Sequence, residues 1–249
     1  MTKTLLSELS ISELIAIYLS RHLENHSFGY AGTGSLIGVA ACLLAQDLHA
    51  PDLTWIAGES GFINPSPPLV KSLSGFSPRT EATKSMNAIL RYLGRGVDFF
   101  IAEAGQIDGK ARINRQTNPD GTCAPGNGST AFLQSARRVL LFTTKHSKDI
   151  LVDNVKFVSA WGKLHSTIDY TILITPQGVF SWKAEKKDSN LLTPELIGIF
   201  EHSKPVSEIQ KITGFTFNVS KNIETVPYPS EEEIDSLRDV VDPLKHLED

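Results

Sequence analysis

An acid stands between two glycines in Gly58-Glu59-Ser60-Gly61, directly after the apolar run Leu53-Thr54-Trp55-Ile56-Ala57. A glutamate carboxyl ordinarily titrates at about pH 4.3, so at neutral pH it is ionised and can serve as a nucleophile without a partner base. The preceding run reads as a buried strand, which puts Glu59 on a tight turn at a strand's carboxyl end. That is the edge at which α/β sheets bind ligands, and it differs from a solvated helix face. An ordinary surface turn would carry the same residues, so this pattern alone leaves both readings open. Ser60 does not fit a hydrolase nucleophile elbow, because Phe62 occupies the position where that motif needs glycine.

Other motifs weaken when their spacing is tested. Gly32-Thr33-Gly34-Ser35-Leu36-Ile37-Gly38 has its last glycine one position too late for a dinucleotide fingerprint and lacks a convincing ribose-binding acid downstream, so a structural turn that brings backbone near a ligand is the better reading. Gly121 to Gly126 has the outer spacing of a phosphate loop, yet Asn127 and Gly128 replace its lysine and hydroxyl residue. What remains there is Gly126-Asn127-Gly128-Ser129-Thr130 before a predicted helix. This is a main chain able to aim amides at an oxyanion, or simply a capped loop. His22 and His26 are four apart, but Glu24 is one residue late for a metalloprotease helix, and Lys183 to Lys187 lacks the interleaved aromatics of a nucleic-acid site.

The elements that must position these turns follow from periodicity. Ser10 and Glu13 have capping-box spacing before Leu14, Ile15, Tyr18, Leu19 and Leu23, which predicts an opening helix. Phe28 to Ala31 reads as a strand running into the Gly32 turn, Leu36 to Leu44 as a helix, and Leu53 to Ala57 as the strand before Glu59. A proline-rich loop comes next. Met86 to Leu93 is expected to be helical, Asp98 to Ala102 a strand, Gly105 to Asn114 a polar turn, Ala131 to Ala136 a helix and Val139 to Phe142 a strand. Alternation of this kind predicts an α/β fold: a mostly parallel open sheet with helices on both faces. Ile168 to Thr175 and Val179 to Trp182 read as a hairpin around Pro176-Gln177-Gly178, and Ser230 with Glu233 repeats the capping-box spacing before a last helix with Ile234, Leu237, Val240 and Val241. No repeat or low-complexity linker interrupts the chain, so residues 1–249 are expected to form one domain.

Composition narrows the partners. The 249 residues carry 24 basic and 28 acidic side chains, a net charge of −4, which argues against nucleic acid or an anionic membrane as the main partner. The N-terminus lacks the apolar core of a signal peptide and no stretch approaches a membrane span, so a cytoplasmic location is expected. Cys42 and Cys123 form no ligand grouping, and neither a structural metal nor a disulfide is expected.

The residues from Gly58 through Phe62-Ile63-Asn64-Pro65-Ser66-Pro67, preceded by Ala50-Pro51-Asp52, resemble the catalytic-glutamate segment of the β subunit of glutaconate-type, family I CoA-transferases. Gly105-Gln106-Ile107-Asp108 with Asn114 is similar to that family's Gly-Ala-Gln-Ile-Asp loop, with Ala104 and Gly105 in reverse order. Thr213-Gly214-Phe215, Val219-Ser220-Lys221 and Ile234 to Pro243 are similar to its closing segment, so the likeness is collinear over nearly the whole chain. One departure stands out: where the family carries paired glycines, this chain has Asn127-Gly128.

The resemblance implies a single CoA-transferase β-type domain whose Glu59 attacks an acyl-CoA. Gly32, Gly34, Ser60, Gly61, Gly105, Gln106, Asn127 and Gly128 would contact substrate or CoA. It also implies coenzyme A as co-substrate with no tightly bound cofactor, a carboxylic acid as second substrate, and an α subunit in an α2β2 or larger hetero-oligomer without which the chain is inactive. Two other outcomes remain on the same scaffold: hydrolysis or C–C bond cleavage of acyl-CoA, and a non-catalytic CoA-binding subunit.

Overall fold

The computed structural model describes residues 9–32, 35–72, 79–116, 122, 129–161, 168–183 and 193–248, with main chain alone at Glu59, Leu93 and Ser129. The chain divides into two compact units, Met1–Tyr92 with Pro229–Asp249, and Leu93–Tyr228.

In the first unit the capping box forms as expected: the Ser10 hydroxyl accepts from the Glu13 amide and the Glu13 carboxylate accepts from the Ser10 amide, opening helix α1 (Ile11–Ser20). β1 (Phe28–Ala31) leads to α2 (Leu36–Leu48), whose residues Ile37 to Ala45 are all buried, so this helix is core on every side. β2 (Thr54–Ala57) then lies parallel to β1, with Phe28 opposite Thr54 and Ala31 opposite Ala57. The proline-rich segment after Glu59 is more than a loop. It supplies β3 (Phe62–Pro65), antiparallel to β2, and β4 (Thr80–Thr83), antiparallel to β3, before α3 (Met86–Leu93). The C-terminal segment returns to this unit as α6 (Glu231–Asp235), opened by a second capping box at Ser230 and continued as a π-helical stretch Ser236–Val241. Charge pairs fasten it to α1: Arg238 donates to the 3 % exposed Glu13 at 2.8 and 3.1 Å, and Arg21 donates to Glu233 twice at 2.7 Å.

The second unit is a ladder in which β5 (Val97–Glu103) and β10 (Tyr170–Thr175) flank β8 (Ala136–Phe142), all parallel. β11 (Gly178–Trp182) closes the expected hairpin with β10, β12 (Glu195–Phe200) pairs antiparallel with β11, and β13 (Asn218–Val226) lies parallel to β12 beyond α5 (Val206–Ile212). α4 (Ser129–Ser135) runs straight into β8. The polar turn after β5 is itself a small antiparallel ribbon of β6 (Gln106–Ile107), β7 (Arg112–Asn114) and β9 (Ala160–Trp161). The architecture is therefore a mostly parallel open sheet with helices, extended by hairpins. No helix among the described residues is long and apolar enough to cross a membrane.

Candidate active site

The Glu59 turn is held from three directions. Strand β2 enters it buried at Trp55, Ile56 and Ala57, and the Trp55 indole donates to Gln46 of α2 at 3.0 Å. Gly58–Ser60 form one 3₁₀ turn, closed by Gly61, whose amide donates to Ala57 and Gly58 carbonyls at 3.1 and 3.3 Å. Gly61 has φ +70°, and a Cβ there would run into the Lys84 carbonyl oxygen and lie 3.3 Å from Ile89 Cδ1. Both conditions select glycine. The strand leaving the turn is locked by Lys84 donating to the Gly61 carbonyl at 2.9 Å, by the register Ala57 to Phe62, and by the Asn64 side chain accepting from the Trp55 amide at 2.8 Å.

Ser60 serves the turn. Its hydroxyl donates to the Ala57 carbonyl at 2.8 Å and accepts from the Phe62 amide at 3.4 Å. Ile89 of α3 links the turn to β1, because its carbonyl accepts from the buried Tyr30 hydroxyl at 3.3 Å while its side chain covers Gly61. Burial pushes the Tyr30 phenol well above its ordinary pKa, with the neighbouring Tyr92 acting in the same direction.

The parallel register of β1 and β2 places Gly32 and Gly58 as successive residues past two adjacent strand ends. A Cβ at Gly32 would meet no atom within 4 Å, and the Gly32 carbonyl accepts from Ser35, which caps α2. Open space at a strand's carboxyl end, beside the Glu59 turn, is where a ligand can approach main chain. Gly34, Asn127 and Gly128 lie outside the described residues.

Gly105 and Gln106 belong to the second unit. A Cβ at Gly105 would come 2.6 Å from the Asn114 carbonyl oxygen, so this glycine is required for the ribbon to close. The 7 % exposed Gln106 has its carboxamide engaged at both ends, donating to the Asp149 carbonyl at 3.1 Å and accepting from Asn114 at 2.8 Å. These two bonds fix the loop. Asp108 is fully buried, and its carboxylate takes Arg112 Nε at 2.7 Å and the amides of Lys110 and Arg112 at 3.0 and 3.1 Å. The Gly105 to Asp108 segment is thus a built, rigid loop.

Sequence reasoning passed over one electrostatic feature. Residues 61–95 carry Lys71, Arg79, Lys84, Arg91 and Arg95 against the single acid Glu81, within a chain of net charge −4. All five are exposed, and Lys84 hydrogen bonds through its main chain to the Glu59 turn. A windowed charge count would have found this segment. Among the described residues no group of three His, Cys, Asp or Glu side chains could hold a metal ion.

The fold matches known structures. The chain superposes on the decarboxylase AibA/AibB with a TM-score of 0.82 and 24% identity, covering 96% of this chain and 97% of that one. Glutaconate coenzyme A-transferase from Acidaminococcus fermentans gives a TM-score of 0.80 at 16% identity, over 97% of this chain and 98% of that one. This chain has a CoA-transferase fold. IpdAB from Rhodococcus jostii RHA1 matches with a TM-score of 0.75 and 18% identity, over 96% and 97% of the two chains. No protein-family model and no curated protein matches the sequence.

Proposed function

We propose that this chain is the β-type subunit of a CoA-transferase that moves CoA from an acyl-CoA to a carboxylic acid, with Glu59 as nucleophile. The observation that carries the reading is the Gly58-Glu59-Ser60 turn at the carboxyl end of β2, beside Gly32, in a fold shared with glutaconate CoA-transferase. The Glu59 carboxylate attacks the thioester carbonyl, the C–S bond breaks, and an acyl-glutamyl anhydride and CoA thiolate result. The thiolate then attacks the glutamyl carbonyl, giving an enzyme–CoA thioester and releasing the first acid. A second carboxylate reverses both steps and leaves as the new acyl-CoA, so the cycle needs no oxidant and no net proton.

Each addition passes through an anionic tetrahedral intermediate, and one preorganised donor is worth about 3 to 4 kcal/mol there. Main-chain amides around Gly32, Gly34 and Gly128 are assigned that role, with Ser60, Gly61 and Asn127 shaping the site. Gly105 and Gln106 fix the loop before Asn114. The basic segment 61–95 complements the phosphates of CoA, which enters as co-substrate. The chain acts as one functional domain in the cytoplasm, in a hetero-oligomer with an α-type subunit. The paired component names of AibA/AibB and IpdAB support a two-component assembly.

The test uses the chain purified with its partner, acyl-CoAs with and without an acceptor acid, and hydroxylamine or borohydride to trap a Glu59 thioester. Acceptor-dependent exchange that disappears in Glu59→Gln is the expected result, and undiminished exchange in that variant overturns the assignment. The decarboxylase neighbour favours a second reading, C–C bond cleavage on an acyl-CoA. Under that reading carbon dioxide appears with no acceptor present, whereas CoA release without acceptor indicates thioester hydrolysis.

A further inference from the structure

Asn64 in the first unit holds a backbone conformation that its neighbour in the chain opposes. Its φ is +47°, in the left-handed region, yet it precedes Pro65, whose ring pushes the residue before it toward extended backbone. Asparagine tolerates positive φ better than most residues, but inside a strand it is an outlier, and outliers persist where surrounding contacts over-determine them. Such contacts lie on both flanks. The register that sets Ala57 opposite Phe62 and Ile56 opposite Ile63 brings Asn64 opposite Trp55. In a regular antiparallel ladder the Trp55 amide takes the main-chain carbonyl across from it; here it donates to Asn64 Oδ1 at 2.8 Å. On the other flank the Thr80 hydroxyl donates to the Ile63 carbonyl at 2.5 Å, and Pro65, which has no amide to leave unpaired, lies opposite Thr80. Trp55 is fully buried, so its amide is costly to leave without an acceptor. The Asn64 carboxamide therefore lets β3 kink while β2, the strand that leads to Glu59, keeps its bonds.

We infer that Asn64 is a positioning residue for the Glu59 turn, acting through its side-chain bond to the Trp55 amide. Beside the turn β3 is fastened by the pairing of Ala57 with Phe62 and by Lys84 on the Gly61 carbonyl; the Trp55–Asn64 bond is a second point farther along the same hairpin. Two points fix the direction in which β3 leaves the turn, whereas one leaves a pivot. That this setting serves a nucleophile rests on the transferase reading; that Asn64 sets the turn does not.

The experiment compares wild type, Asn64→Gly, Asn64→Asp and Ser230→Ala, each as the 249-residue chain purified with its partner subunit. Glycine accepts the positive φ without strain and removes the acceptor, whereas aspartate keeps an oxygen where Asn64 Oδ1 stands. Ser230→Ala opens the second capping box and controls for a general loss of stability in the same unit. The readouts are kcat and KM for CoA transfer and amide hydrogen exchange over residues 58–62. Asn64→Gly should lower kcat about tenfold at unchanged KM, a tenth of what misplacement by about 1 Å can cost, and speed exchange in the turn about tenfold. Asn64→Asp should restore both readouts, and Ser230→Ala should lower the melting temperature while leaving both unchanged. If Asn64 matters only through its backbone, glycine is the better residue and both readouts stay at wild-type values, which overturns the inference. An aspartate variant no better than glycine, or an equal loss of kcat in Ser230→Ala, also overturns it. If the wild type transfers no CoA, the transferase reading fails and exchange alone decides: fast exchange in Asn64→Gly that Asn64→Asp reverses upholds the role of Asn64, and unchanged exchange refutes it.

Discussion

Lowering the pH from 7 to 5 should weaken the fold by up to about 2 kcal/mol through His146 alone. The imidazole sits half-buried where three segments meet. Its Nδ1 is 2.9 Å from Thr175 Oγ1 at the β10–β11 turn, its Nε2 is 2.9 Å from Thr213 Oγ1 at the end of α5, and its ring lies 5.9 Å from that of Phe180. The two hydroxyls also donate to the carbonyls of Gly178 and Ile209 at 3.0 and 2.8 Å. A neutral ring donates through one nitrogen to one threonine oxygen, and its other nitrogen accepts when the second threonine turns its single hydrogen from its carbonyl to the ring. Burial, reinforced by repulsion from Lys204, pulls the His146 pKa down to about 4 from an ordinary value of 6.5.

Because the folded pKa is the lower one, the unfolded chain takes up the proton first as pH falls. The contribution of His146 is complete above pH 6.5 and is lost as pH drops from there toward 4. The full gap corresponds to about 3.4 kcal/mol, and at pH 5 about 2 kcal/mol of it has gone, an upper figure since the ring keeps some access to water. Urea unfolding at pH 7 and pH 5 for wild type and His146→Gln checks this. The wild type should lose about 2 kcal/mol more than the variant between the two pH values. Equal losses in both proteins would refute the linkage.

Two further substitutions probe the loops described above. Gly61→Ala puts a Cβ against the Lys84 carbonyl and a side chain into left-handed backbone, which costs about 1 to 2 kcal/mol before any clash, so melting temperature and transfer rate should both fall. Unchanged kinetics would show that the turn geometry does not matter to catalysis. Asp108→Asn removes the charge paired with Arg112 at 2.6 Å in a site where the Asp108 side chain is 0% exposed. A loss of about 3 kcal/mol in thermal or urea unfolding is expected, and a loss near zero would mean that the amide replaces the carboxylate bonds in full.

The two capping boxes, the strands before Gly32 and Glu59 and the β10–β11 hairpin were legible because each is encoded locally, in a spacing of three or four residues or an apolar run bounded by glycine. β3 and β4 were not. Phe62–Pro65 has proline and asparagine where strand propensity is low, and it becomes a strand because β2 offers an unpaired edge and Asn64 reaches back to Trp55. β13 was missed for the opposite reason: its mostly exposed residues show no alternation, and its existence depends on pairing with β12, a contact no window reveals. At the site, the position of the Glu59 turn was readable, whereas the bonds of the Gln106 carboxamide to Asp149 and Asn114 depend on contacts that no local pattern shows.

The bracing of that turn gives its two glycines different jobs. Gly58 merely begins the 3₁₀ turn, while Gly61 carries the positive φ and the close approach to Lys84. Without Gly61, β3 could not reverse direction against β2, and without β3 and β4 the turn would be tethered on one side only. A carboxylate nucleophile gains rate from being held at its reacting position, since misplacement by about 1 Å can cost a hundredfold. On the proposed transferase reading, the hairpin hidden in the proline-rich segment would do for Glu59 what a partner base does for a serine, by fixing the turn that carries it.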